Sequence, residues 1–206
     1  NFATFDNALY TKDYSEILYY PKAKDGDLSK LHENLQKIGA NVFQDNPNIK
    51  TVELSKNIVS IGAHAFDNCY NLTEVTFEPG GTTLTIGASA FASCDVLKTI
   101  ALPAYTTNIG ASAFESTPLT EFTIPENVTY LGAKALKGTK ITTIHIPANV
   151  TTIGDGAFAG CASLVTVSFA EGDKPLAIGI LDRNISSTTA RKEGVFYGTK
   201  IKTVAL

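Results

Sequence analysis

One motif decides what this chain can fold into. Ile109-Gly110-Ala111-Ser112-Ala113-Phe114, followed by Leu119-Thr120-Glu121-Phe122-Thr123-Ile124, recurs with small changes along nearly the whole sequence. Taking the residue before the glycine as an anchor, anchors fall at Ile38, Ile61, Ile86, Ile109, Leu131, Ile153 and Ile178, at intervals of 23, 25, 23, 22, 22 and 25 residues. Each is followed by glycine, and the first six are followed five positions on by Phe43, Phe66, Phe91, Phe114, Leu136 and Phe158. In the seventh copy the matching Phe196 is displaced by thirteen residues. Self-similarity at a period of roughly 20–29 residues is the mark of a leucine-rich-repeat solenoid. A single copy cannot bury its Ile, Phe and Leu side chains, but stacked copies bury them as continuous columns.

The second half of each copy reads as a strand. Val52/Leu54, Val75/Phe77, Ile100/Leu102, Phe122/Ile124, Ile144/Ile146, Val167/Phe169 and Val204/Leu206 are pairs two apart, so both members face the same side of a strand. A shorter apolar pair leads into each anchor, as in Val128-Thr129-Tyr130-Leu131, and reads as a second strand on the opposite wall. Pro103, Pro125 and Pro147 follow main strands, where a missing N–H ends the ladder. The glycine after each anchor fits either a positive φ or a close backbone approach. Leu31 to Ile38 also has the i, i+4, i+7 spacing of an amphipathic helix, but the repeat register takes precedence.

Eight residues after the first six anchors stand Asn46, Cys69, Cys94, Thr117, Thr139 and Cys161, with Thr199 at the same place relative to Phe196. These small side chains can meet backbone groups inside a tight turn. Three cysteines at wide spacing make neither a disulfide framework nor a zinc site, and are expected to be buried thiols. Together with Phe43, Phe66, Phe91, Phe114, Phe158 and Phe196 they form the structural ladder.

At this point the residues resemble a known family. Ile61-Gly62-Ala63-His64-Ala65-Phe66-Asp67-Asn68-Cys69-Tyr70-Asn71-Leu72 is similar to the BspA-type leucine-rich repeat of bacterial cell-surface proteins. Asn7 to Pro21 resembles the hairpin that interrupts such arrays. The resemblance spans roughly residues 5–206. It implies a right-handed solenoid of the α/β horseshoe class, mostly β with short helical turns, in about seven repeats of 22–25 residues. It also implies an extracellular, cell-surface location. The function it implies is adhesion or binding to a protein or glycan on a host or neighbouring microbe, rather than catalysis. A passive spacer within a larger surface protein is the alternative. The organisation expected is a β-hairpin cap over residues 1–30 and a solenoid over residues 31–206, with an insertion at 180–194.

Little in the sequence carries chemistry. The net charge of −3, without a long run of one sign, gives no footprint for nucleic acid. No apolar run reaches the length of a membrane span. The chain begins at Asn1 and contains no methionine, so a piece of a longer precursor is expected. The three histidines, His32, His64 and His145, fall at different registers, and no hydrolase or phosphate-loop motif occurs. Asp25-Gly26-Asp27 lacks the remaining ligands of a calcium loop, so no metal or cofactor is expected. Asn71, Asn127, Asn149 and Asn184 head N-x-S/T triplets, two of them by-products of the repeated Asn-Val-Thr.

Candidate ligand-binding positions are few. Tyr14 and Tyr20 belong to an aromatic N-terminal segment that either caps the first repeat or offers a binding patch. Arg183, Arg191 and Lys192 lie in the insertion and could meet an anionic partner. Glu74, Glu121 and His145 interrupt the otherwise small, threonine-rich outward rows of the main strands. Two turns are lengthened, at Glu78–Thr83 and Glu171–Pro175, with nine residues instead of seven from main strand to anchor. The final strand leaves an apolar end and a free strand edge, where an end-to-end contact is expected unless something covers it.

Overall fold

The computed structural model describes residues 2–22, 27–28, 31–172, 175–178 and 194–205. Among them the strands are β1 (Phe2–Phe5), β2 (Ala8–Thr11), β3 (Glu16–Tyr19), β4 (Asp27–Leu28), β5 (Lys37–Ile38), β6 (Thr51–Leu54), β7 (Ser60–Ile61) and β8 (Glu74–Phe77). There follow β9 (Leu84–Ile86), β10 (Thr106–Ile109), β11 (Tyr130–Leu131), β12 (Thr143–Ile146), β13 (Thr152–Ile153), β14 (Thr166–Phe169), β15 (Ala177–Ile178) and β16 (Thr203–Ala205). The anchor strands form one wall, a ten-stranded sheet in the order β1-β2-β3-β5-β7-β9-β10-β11-β13-β15. The main strands form the other wall as two three-stranded sheets, β4-β6-β8 and β12-β14-β16. The chain is a leucine-rich-repeat solenoid.

The anchor column is the spine of this arrangement. Parallel pairing sets Ile17 against Ile38, Ile38 against Ile61, Ile61 against Ile86, and so on through Ile109, Leu131 and Ile153 to Ile178. Every member is buried except Ile178. Ile17 sits on the hairpin formed by β2 and β3, so the hairpin supplies the first turn of the column rather than only lying over it.

The glycine after each anchor is there for close approach. A Cβ on Gly62, Gly87, Gly110, Gly132 or Gly154 would lie 2.3–2.7 Å from a backbone atom of the preceding glycine–alanine pair. Positive φ falls elsewhere, at the third and seventh positions after the anchor. Asn41 and Asp45, His64 and Asn68, Ser89 and Ser93, and Ser112 and Ser116 all lie between 54° and 62°. Asn, Asp and Ser tolerate this left-handed region through local side-chain hydrogen bonds.

These corners replace the short helical turns that the resemblance implied. No helix occurs among the described residues. Ala65, Asp67 and Cys69 donate to carbonyls three residues back, as in a tight helix. The intervening N–H groups of His64, Phe66 and Asn68 instead donate to Ala88, Ala90 and Ala92 of the next turn. The left-handed residues aim those groups along the solenoid axis, so the corner becomes a third hydrogen-bonded wall.

Inside, the rings stack at about the strand spacing. Phe43–Phe66, Phe66–Phe91 and Phe91–Phe114 have centroids 4.8, 5.1 and 5.5 Å apart and planes within 12° of parallel. Leu136 interrupts this column. Phe122, from the main-strand column otherwise filled by Val52, Val75, Ile100, Ile144 and Val167, packs on Phe114 at 5.2 Å and 59° instead. One position has lost a ring and a neighbouring column has gained one.

The expected main strands around 97–102 and 119–124 form no strand ladder among the described residues, which splits that wall in two. The interrupted stretch includes Phe122, whose ring packs on Phe114. Leu136→Phe alone is expected to overpack the site by about 1–3 kcal/mol. Phe122→Ile alone is expected to leave a void costing about 1–3 kcal/mol. Together they should cost at least about 1 kcal/mol less than their sum in urea titrations. Strict additivity would show that the two sites do not compensate.

Candidate functional site

The small-residue ladder is structural. Cys69, Cys94 and Cys161 are buried free thiols. Each donates its S–H to a carbonyl of the preceding turn, Phe43, Phe66 and Leu136 respectively, at 3.1–3.2 Å. Thr117 and Thr199 donate instead to the Phe114 and Phe196 carbonyls of their own turn, at 2.8 and 2.9 Å. The thiols thus bond between turns and the Thr117 and Thr199 hydroxyls within one, while the Thr139 hydroxyl meets the Cys161 sulfur of the next turn at 3.2 Å. Asn46 accepts the Asn48 N–H at 2.9 Å.

Burial also makes these thiols unreactive. It pushes Cys69 from an ordinary 9.0 up to about 12, and raises Cys94 and Cys161 as well. At pH 8 a thiol-disulfide reagent is expected to label none of the three within an hour, and all three after denaturation. The fold keeps the thiols protonated where the unfolded chain would release protons. Stability should therefore fall as pH rises from about 8.5 towards 12, by at most roughly 1.4 kcal/mol per unit for each thiol. A flat urea midpoint between pH 8 and pH 10 would contradict this.

The two candidate tyrosines part company. Tyr20 is buried with its ring 5.1 Å from Phe43, so it is the first member of the aromatic column and not a surface contact. Tyr14 is half-buried and lies flat on His32, with centroids 4.0 Å apart and planes 6° from parallel. Phe5 meets the same imidazole edge-on at 5.1 Å. The Asn34 N–H donates to His32 Nδ1 at 3.1 Å, which places the ring proton on Nε2. In the hairpin loop beside them, the Thr11 hydroxyl, then the Ser15 hydroxyl and N–H, hold Asp13 down to about 2.

On the main wall Glu74, Glu121 and His145 are exposed, and His145 Nδ1 lies 2.9 Å from Ser168 Oγ. Two main-strand turns lie between Glu74 and His145, so these residues form no single cluster. Arg183, Arg191 and Lys192 lie outside the described residues. No group of three or more potential metal ligands occurs among the described residues. Within the same set no helix is long and apolar enough to cross a membrane.

Three of the N-x-S/T asparagines act as clamps between turns, and Asn184 lies outside the described residues. Asn71, Asn127 and Asn149 donate from Nδ2 to the carbonyls of Pro47, Ala104 and Glu126, at 2.7–2.9 Å. Two hollows accompany the two lengthened turns. One, of about 500 Å³, lies between Leu31, Leu54 and Phe77 beside Glu78. The other, of about 480 Å³, lies at the C-terminal end between Ile146, Phe169 and Phe196. Sequence reasoning saw the extra residues but not the hollows, because a turn's length does not reveal which side chains it uncovers.

A comparison with curated proteins finds no match. Solved structures do match. The chain is 27% identical to a leucine-rich cell surface protein from Faecalibacterium prausnitzii A2-165, with a TM-score of 0.64, covering 82% of this chain and 54% of that one. A leucine-rich repeat protein of T. pallidum is 26% identical, with a TM-score of 0.70, covering 84% and 82%. One from Bacteroides ovatus ATCC 8483, 22% identical with a TM-score of 0.63, shares the fold over 87% and 50%. The chain thus spans about half the length of the first and third of these. The model of the BspA type leucine-rich repeat region matches six copies over residues 36–165. The turns it covers are those whose glycines, rings and clamps stack in register, and the chain belongs to the BspA type leucine-rich repeat family.

Proposed function

We propose that this chain is an extracellular recognition module of a bacterial cell surface, which adheres to a protein or glycan of a host or neighbouring microbe without catalysing a reaction. The observation that carries this reading is the division of labour between inside and outside. The inward columns are nearly uniform from turn to turn, while the exposed rows vary, with Glu74, Glu121 and His145 set among threonines. A frame that holds itself together through buried columns leaves its surface free for partners. The surface location of the F. prausnitzii protein supports the same reading.

Beads coated with the chain would be tested against immobilised extracellular-matrix proteins, mucins and epithelial cells. Saturable adhesion is expected. It should weaken several-fold on combined replacement of Tyr14, Glu74, Glu121 and His145, or on deletion of residues 181–193, which include Arg183, Arg191 and Lys192. Absence of saturable adhesion to every surface would favour the passive spacer.

A further inference from the structure

The hollow beside the first lengthened turn has the character of a peptide site. Its floor is apolar, made by Leu31, Leu35, Leu54, Ile58 and Phe77. Its rim carries three exposed carboxylates, Glu33, Glu53 and Glu78. None of the three is ion-paired among the described residues. Lys56, on the adjacent corner, lines a separate polar hollow of about 640 Å³ that adjoins the first at Glu33. Asn34, Gln36 and Asn57 line that second hollow too, and amide side chains suit the backbone of an extended chain.

The walls are fixed in place. Glu78 accepts the Lys56 N–H through Oε2 at 3.2 Å, and its carbonyl accepts the Tyr105 hydroxyl at 2.9 Å. Gly81 lies against the Tyr105 ring so closely that a Cβ there would sit 2.5 Å from Cζ. The lengthened turn is therefore pinned at two points and holds the hollow open. Among the described residues, the C-terminal hollow beside the other lengthened turn is lined without any charged side chain. Charge distinguishes the first hollow from an ordinary gap between turns.

Resting on the recognition reading above, we propose that this hollow binds an extended cationic peptide segment. One bulky apolar side chain fills the floor, and lysine or arginine on either side meets Glu33 and Glu53. Burying the apolar side chain supplies affinity, and the carboxylates select the flanks, arginine best because its fork matches a carboxylate. The polar hollow takes up the backbone that continues past Glu33.

The test uses the whole chain and a fluorescein-labelled probe of sequence KRLFRK, read by anisotropy. Saturable binding is expected, weakening as salt rises. A Glu33→Gln/Glu53→Gln double variant, changed only at exposed side chains, should bind at least tenfold more weakly. Glu126→Gln, an exposed change remote from the hollow, should bind as the unaltered chain does. The probe KRAARK should bind at least fivefold more weakly than KRLFRK. No binding, equal binding by the double variant, or equal binding of KRAARK would overturn the proposal. So would displacement of the probe by spermine at matched charge, which would leave charge alone as the cause. Failure of the peptide with bead adhesion intact overturns the hollow only. Failure of both removes the recognition reading beneath it.

Discussion

Phe114→Ala is expected to lower the unfolding free energy by about 3–5 kcal/mol, the range for truncating a fully buried ring. Phe114 has no exposed surface and touches two rings, Phe91 at 5.5 Å and Phe122 at 5.2 Å. Neither neighbour can collapse into the space, because each is held by its own turn. The loss should appear as a lower urea midpoint. Since each turn contacts mainly its neighbours, a void in the middle should also broaden the transition by letting the two halves unfold separately. A loss below 1 kcal/mol would mean that the column is not packed as described.

Gly110→Ala should do comparable damage by adding a single carbon. Its Cβ would stand 2.6 Å from the Gly87 carbonyl carbon and 2.7 Å from the Ala88 nitrogen. Both are backbone atoms, so no side chain can turn aside. Relief requires moving one turn away from the next, which lengthens the Gly110 N–H to Ile86 bond, now 2.8 Å, and the corner bonds beside it. Overpacking costs about 1–3 kcal/mol and more where the surroundings are rigid. Gly194→Ala is the control, since among the described residues nothing lies within 4 Å of its Cβ position. If the two variants melt together, close approach is not what glycine provides there.

The solenoid was legible in the sequence because its physics is periodic. A side chain that must meet its own copy one turn away leaves the same letter every two dozen residues. The Phe ladder, the anchor spine and the Cys/Thr ladder all follow from that, whereas the β2–β3 hairpin was legible through the family resemblance. The corners were harder. Asn41, His64, Ser89, Ser112 and Lys134 share a left-handed backbone but no common side-chain chemistry, and His and Lys conceal what Asn and Ser suggest. The broken main wall was also hidden, since 97–102 and 119–124 fit the strand pattern as well as 74–77 does. One difference in the second of them is the ring of Phe122, which packs on Phe114 in the column beside it. Tyr20 misled for a related reason: it stands outside the regular motif, yet occupies the aromatic column.

That broken wall bears on how the molecule yields to force. The anchor sheet runs without interruption from β1 to β15, while the opposite side has two plates separated by two turns that form no strand ladder among the described residues, linked only by bonds such as Thr120 N–H to the Lys98 carbonyl at 3.1 Å and Lys140 N–H to the Leu119 carbonyl at 2.8 Å. Pulling along the long axis would stretch the sparsely bonded side first and leave the other nearly inextensible, so the rod should arch there rather than lengthen. Amides at 99–102 and 121–124 would then exchange with deuterium well before those at 74–77 and 143–146, marking where the arch forms.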